Sequence, residues 1–337
     1  MKKFFILVAI LFLAGILGFL GWRFNNKGEQ TFQTTPKQRP FDVYSIDNLS
    51  KYRSLPGFIK IERVLRQDDN FTSYLFSFNF NPNPASSQKK KVSGLINTPA
   101  TTQTPQNQKF PAVVMLRGYV DQKIYQTGDG TRRAGEYFAE NGFITVAPDF
   151  LGYGDSDTEA GNIFETRFQT YTTVLSLISS LGSLENWDKT NIFLWGHSNG
   201  GQIALTILEI TGADYPTTLW APVSKPFPYS ILYYTDESDD GGKLIRSELA
   251  KFEDVYDTDL YSIHKYYNRI KARVQLHQGT ADDAVPKEWS DGLANTLLGL
   301  DLDLDYFVYP EADHNLNPAW DTVVERDLQF FKSGFTN

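Results

Sequence analysis

The sequence predicts an α/β protein with a mostly parallel sheet of about eight strands, flanked by helices on both faces. Two observations carry this. From Ala112 onward, short continuous apolar segments alternate with longer stretches of helical periodicity, which is how strands buried on both faces read. Ahead of them lie three segments joined by short polar loops, two of them alternating in polarity, which read as antiparallel strands leading into the sheet.

The elements follow in chain order. Lys2 and Lys3 precede an uncharged apolar run, Phe4 to Gly21, closed by Arg23. Roughly 18 residues lies near the lower limit for crossing a bilayer as a helix. The run ends in Phe19, Leu20, Gly21 and Trp22, without a small-x-small cleavage site. Residues 1–23 are therefore expected to form an uncleaved signal anchor, a single transmembrane helix. The flanking lysines then place the body of the protein outside the cytoplasmic membrane. A cleaved signal peptide, and so a secreted protein, is the alternative. Residues 24–43, rich in Asn, Gln, Thr, Lys and Pro, read as a flexible linker.

The body, 44–337, opens with strands over Phe58–Val64 and Phe71–Phe80, both expected to be half-buried, and Lys91–Asn97. The later strands are Ala112–Leu116, Phe143–Ala147, Ile192–Trp195, Thr218–Ala221, Arg273–Leu276 and Tyr306–Tyr309. Helices are expected over Arg132–Asn141, Ile163–Leu181, Gly201–Ile210, Glu288–Leu298 and Trp320–Lys332. The stretch 225–268, rich in Tyr, Asp and Glu, breaks the rhythm and reads as a lid-like insertion over the strand ends, where ligands bind in open α/β sheets. Tyr229, Tyr233 and Tyr234 are its candidate cleft walls.

Composition narrows the function. The formal charge of −8 argues against a nucleic-acid partner, because phosphate binding wants a basic surface. With no cysteine, disulfides and thiolate metal sites are excluded. The sequence holds no metal-ligand spacing and no phosphate-binding glycine loop, so neither metal nor cofactor is expected.

The chemistry concentrates in Gly196-His197-Ser198-Asn199-Gly200, between the strand NIFLW and the helix GQIALTILEI. Strand, tight turn and helix form the setting of a nucleophilic serine, with small neighbours because the turn is sharp. A serine hydroxyl needs a base within hydrogen-bond reach. Of four histidines, His197 sits inside the turn, His264 in the insertion and His277 at a strand end. His314 follows the last strand, at the same sheet edge as Ser198. The base needs an acceptor on its other nitrogen, and the loop after RVQLHQG offers Asp282 and Asp283. Serine, acid and histidine thus follow successive strands in the order such sheets use.

Residues 44–337 resemble the α/β-hydrolases, and within them the catalytic domain of the prolyl oligopeptidase-like serine peptidases. The resemblance rests on Trp195 to Gly201 (WGHSNGG), Gly279 to Pro286 (GTADDAVP), Ala312-Asp313-His314, Tyr261 to Arg273 (YSIHKYYNRIKAR) and Pro148 to Ser156 (PDFLGYGDS). It implies a catalytic triad of Ser198, Asp282 and His314. The acid in that family usually stands three residues before a valine such as Val285, which selects Asp282. The backbone N–H groups of Asn199 and Tyr119 are implied as oxyanion donors. The resemblance also implies hydrolysis of a small peptide or ester through an acyl-enzyme, with peptidase ahead of esterase. A non-catalytic binding protein on the same fold is the remaining alternative; such proteins usually lack a triad residue, and none is missing here. Two departures stand out. The β-propeller that gates larger family members is not expected, because too few residues precede Tyr44. In Leu116-Arg117-Gly118-Tyr119 the family often has His-Gly or Tyr-Gly, and Arg117 stands where some members donate a tyrosine hydroxyl; it is expected to assist there, to bind a substrate carboxylate or to pair with a nearby acid.

Overall fold

A computed structural model describes residues 38–100 and 108–335. The described residues form nine strands: β1 (Lys60–Gln67), β2 (Phe71–Phe80), β3 (Lys90–Pro99), β4 (Phe110–Leu116), β5 (Ile144–Pro148), β6 (Trp187–His197), β7 (Thr217–Trp220), β8 (Val274–Gly279) and β9 (Leu304–Tyr309). All nine belong to one sheet of order β1-β2-β3-β5-β4-β6-β7-β8-β9. The first three strands and β5 pair antiparallel; from β5 to β9 every pairing is parallel.

The helices are α1 (Ile46–Lys51), α2 (Arg132–Glu140), α3 (Ile163–Ser180), α4 (Asn199–Thr211), α5 (Tyr229–Leu232), α6 (Lys243–Glu253), α7 (Lys287–Gly299) and α8 (Trp320–Ser333). They cover both sheet faces, and β4 shows why its sequence is continuously apolar. Ala112, Val114 and Leu116 enter the core shared with α3 and α4. Val113 and Met115 point to the opposite core, shared with α2 and α8. This is the two-faced burial expected of a parallel strand.

Two expectations are corrected. All eight residues of β1 are exposed rather than half-buried, because β1 is the sheet edge and, among the described residues, pairs with β2 alone. Its charges guard that edge, Arg66 pairing with Glu136 at 2.6 Å and Lys60 with Glu62 at 2.8 Å. Conversely β2 is buried along most of its length, since α2 and α3 both contact it.

The stretch 225–268 holds α5, α6 and several 3₁₀ turns. Much of it is core rather than cover: Phe227, Phe252 and Tyr261 are buried against Phe164 and Phe168 of α3. The described residues from Pro40 onward form one packed unit, and Phe41, read as linker, stacks on Phe252 with ring centroids 6.0 Å apart. No helix among the described residues is long and apolar enough to cross a membrane. The expected anchor, Phe4 to Gly21, lies outside the described residues.

Candidate active site

Ser198 sits where the central strand β6 turns into α4. Its backbone is at φ 57° and ψ −121°, a conformation L-residues rarely adopt. The turn is tied down by Ser198 N–H donating to Trp220 O (2.9 Å), and by Val223 N–H donating to Ser198 O (3.0 Å). A Cβ on Gly200 would lie 1.9 Å from the Leu116 carbonyl oxygen. Only glycine lets the start of α4 come this close to the end of β4.

The neighbouring loops bring the other two candidates together. After β8, the Asp282 carboxylate accepts from Ala284 N–H (3.0 Å), Val285 N–H (2.8 Å) and Gln278 Nε2 (3.0 Å). It also accepts from His314 Nδ1, at 3.0 and 2.9 Å to its two oxygens. Burial alone would raise its pKa; the bonds from His314, Val285 and Gln278, with the His314 charge, outweigh this and hold it below the usual carboxylate range. With Nδ1 carrying the proton, Nε2 of His314 keeps its lone pair for a hydroxyl. Ser198 Oγ makes no hydrogen bond to that ring among the described residues. Such bonds commonly close only around substrate.

His197 has a place that sequence reasoning did not assign. Its Nε2–H donates to the backbone carbonyl of His314 at 2.9 Å, and the two rings lie 4.6 Å apart at 40°. Burial lowers its pKa to about 4, helped by the neighbouring His314 charge, so the ring is neutral near pH 7. The residue beside Ser198 thereby holds the loop that carries His314. No local signal marks this partner: two-residue spacing puts Trp195 and His197 on one sheet face but does not reveal the His314 carbonyl. The other histidines are structural. His277 is fully buried against Asp327 (2.9 Å), and His264 bonds Ser262 Oγ (2.8 Å).

The loop after β4 abuts the serine. A Cβ on Gly118 would lie 2.9 Å from Ser198 Cβ and 3.4 Å from its Oγ. The N–H groups of Asn199 and Tyr119 have no hydrogen-bond partner among the described residues, whereas the Tyr119 side chain is exposed.

Arg117 makes no ion pair among the described residues, although its charge acts on the buried Asp149 carboxylate. It is buried, donating Nη1 to Gly118 O (2.9 Å) and Nη2 to Asp149 O (3.0 Å). Its guanidinium lies against the rings of Tyr153 (4.0 Å) and Tyr125 (4.6 Å). The Gly118 carbonyl shares a planar trans peptide with the Tyr119 N–H, so the bond from Arg117 fixes the direction of that N–H.

A cavity of about 130 Å³ opens beside Asn199, Gly118 and Tyr119, walled by Arg117, Arg167 and Tyr153. The insertion does not line it. Tyr229, Tyr233 and Tyr234 instead gather around Trp289, with ring centroids 6.1, 4.7 and 6.3 Å away. Among the described residues no group of three or more His, Asp or Glu side chains is placed to hold a metal ion.

The sheet order, the strained serine turn and the helix cover define an α/β-hydrolase. The profile of the prolyl oligopeptidase family matches residues 131–336, and the chain belongs to that family of serine hydrolases. No curated protein matches. Among solved structures, acetyl xylan esterase 1 from Thermoanaerobacterium sp. JW/SL YS485 is similar with a TM-score of 0.62 at 17% identity, over 88% of this chain and 95% of that one. The acetyl xylan esterase from Paenibacillus sp. R4 gives 0.63 at 18% identity, over 87% and 94%. A puromycin-hydrolyzing peptidase of Mycobacterium tuberculosis gives 0.55 at 16% identity, over 82% of this chain but 40% of that one. At these identities the likeness is one of fold.

Proposed function

We propose that Ser198, His314 and Asp282 hydrolyse a small peptide through an acyl-enzyme. The observation that carries this is the bond from Asp282 to His314 Nδ1, made beside a serine in a strained turn. Ser198 Oγ attacks the scissile carbonyl carbon while His314 Nε2 takes its proton. The N–H groups of Asn199 and Tyr119 receive the oxyanion. The C–N bond then breaks, the leaving amine taking the proton from His314. Water, deprotonated by the same nitrogen, releases the acyl group and restores Ser198.

A short-acyl ester is the second reading, supported by the small cavity at Asn199 and by the near full-length likeness to the acetyl xylan esterases. Matched aminoacyl p-nitroanilides and p-nitrophenyl esters, assayed on wild type and Ser198→Ala, test both. The peptidase reading expects Ser198-dependent turnover of the anilides; turnover confined to esters overturns it. Turnover that survives Ser198→Ala overturns the assignment of the nucleophile.

We also propose a body outside the cytoplasmic membrane, retained by Phe4 to Gly21, with secretion as the alternative. Mass spectrometry of the membrane-extracted protein should find the N-terminal peptide attached; a soluble form lacking it overturns the anchor.

A further inference from the structure

Two guanidinium groups border the cavity beside Asn199, and neither makes an ion pair with a carboxylate among the described residues. Arg117 donates to the two backbone carbonyls described above. Arg167, half-buried on α3, donates Nη1 to the Asn199 side-chain oxygen at 3.3 Å and Nη2 to the Gln202 side-chain oxygen. All four acceptors are neutral. The Nε of each arginine is buried and has no hydrogen-bond partner. A buried cation left without an anion is costly, and an orphaned buried N–H adds to that cost. Of the nearby acids, Asp149 acts electrostatically on Arg117 but bonds neither guanidinium through its carboxylate, and Glu159 bonds neither. Asp149 turns its carboxylate to the hydroxyls of Ser93, Tyr125 and Thr127, at 2.5, 2.7 and 2.9 Å. Glu159 stands exposed at the rim and accepts from Gln122 Nε2 at 3.2 Å.

We propose that this cavity receives a carboxylate on the acyl side of the substrate, with Arg167 as its principal ligand. The substrates are then acyl groups ending in a carboxylate: a glutamyl or aspartyl residue before a scissile peptide bond, or the hemiester of a short dicarboxylic acid. The cavity adjoins the two candidate oxyanion donors, so what enters it is attached close to the scissile carbonyl. Its volume of about 130 Å³ is slightly below a cavity of roughly 150 Å³ that admits benzene. A glutamyl side chain is within that limit and a bulky acyl group is not. Arg167 is half-buried and its guanidinium bonds only neutral groups, so the Nη hydrogens that those bonds leave free can meet a carboxylate entering the cavity.

This inference rests on the hydrolase reading above, and the test separates the two. Binding of the α-amide of N-acetylglutamate, whose side chain is the only charged group, and of the neutral α-amide of N-acetylglutamine is measured by calorimetry on the full chain carrying Ser198→Ala. The acid should bind at least about tenfold more tightly, as a charged hydrogen bond implies, and high salt should reduce the difference. Adding Arg167→Gln should bring the ratio near one, while Arg167→Lys keeps part of it. Equal affinity in the parent, or a preference that Arg167→Gln leaves intact, overturns the proposal.

Wild-type turnover then identifies the source of the carboxylate. One pair of substrates is N-acetylglutamyl and N-acetylglutaminyl p-nitroanilide; the other is monoethyl glutarate and the ethyl ester of glutaramic acid. Preference for the acid in the first pair marks a peptidase, and in the second an esterase. Hydrolysis that ignores the charge sinks the carboxylate subsite alone. Binding preference with no hydrolysis of any member supports the subsite and sinks the hydrolase reading.

Discussion

Asp282 turns both carboxylate oxygens to Nδ1 of His314, at 3.0 and 2.9 Å, from a side chain fully shut away from solvent. Asp283, one residue on, is exposed and makes no hydrogen bond among the described residues. Two adjacent acids in one loop are thus divided by direction alone. Asp282→Asn keeps the shape but removes the charge and permits the wrong tautomer of His314. A loss on the order of 10⁴ in turnover is expected, against less than about tenfold for Asp283→Asn. Steady-state rates of both variants on one activated substrate check this; a crippled Asp283→Asn with an active Asp282→Asn refutes it.

Ser198 carries backbone strain that its Cβ creates. At φ 57° and ψ −121° glycine is unstrained, and such strain costs of order 1–3 kcal/mol. Part of that gain is offset by the greater unfolded-state freedom of glycine. Ser198→Gly should therefore stabilise the fold by about 1 kcal/mol, a rise of roughly 2 °C in Tm, while abolishing fluorophosphonate labelling. Ser198→Ala, which keeps the Cβ, should lose labelling without that gain. Calorimetry of both variants decides; equal Tm values remove the strain argument.

Gly118 admits the oxyanion loop to the serine. A methyl group there would lie 2.9 Å from Ser198 Cβ, closer than real side chains pack, and the atom it meets is not a flexible end. Gly118→Ala should push the Tyr119 N–H off its position. Losing one such donor costs about 10²–10³ in rate, and the fold should remain, since the loop can move outward. A variant that retains full turnover would mean that Tyr119 N–H is not a donor.

The parallel half of the sheet was legible because its strands are buried on both faces, which leaves a continuous apolar signature. The burial of β1 was not, since nothing local in Phe58 to Val64 reveals that no element covers it. The serine turn was equally legible, being a local event between β6 and α4. His197 and Arg167 were not. His197 bonds a carbonyl 117 residues away and Arg167 a side chain 32 residues away, and neither partner can be inferred from spacing. Arg117 drew notice by its position, yet its side chain is enclosed by Tyr125 and Tyr153, whose loops only tertiary packing brings together.

His197 links the site to pH. Its pKa falls from 6.5 to about 4 on folding because burial disfavours the charged ring. Between those values the unfolded chain binds a proton that the native state refuses, so stability rises with pH through that window. The contribution is fully present above pH 6.5 and is lost as pH falls towards 4. At pH 4.5 a single group with these two values has lost about 2.5 kcal/mol relative to neutral pH. Other groups titrate in the same range, so the test is a difference. His197→Gln keeps an N–H donor for the His314 carbonyl but takes up no proton. Its unfolding free energy, measured by urea titration, should fall by about 2.5 kcal/mol less than that of wild type between pH 7 and 4.5. Turnover at pH 7 should stay within about tenfold, because the loop bearing His314 is still held. His197→Phe, which fills the space without a donor, should lose roughly 10- to 100-fold in turnover, about one to three kcal/mol of positioning. Parallel pH slopes for wild type and His197→Gln would show that the ring is not buried neutral, and full activity in His197→Phe would show that the loop is held by other contacts.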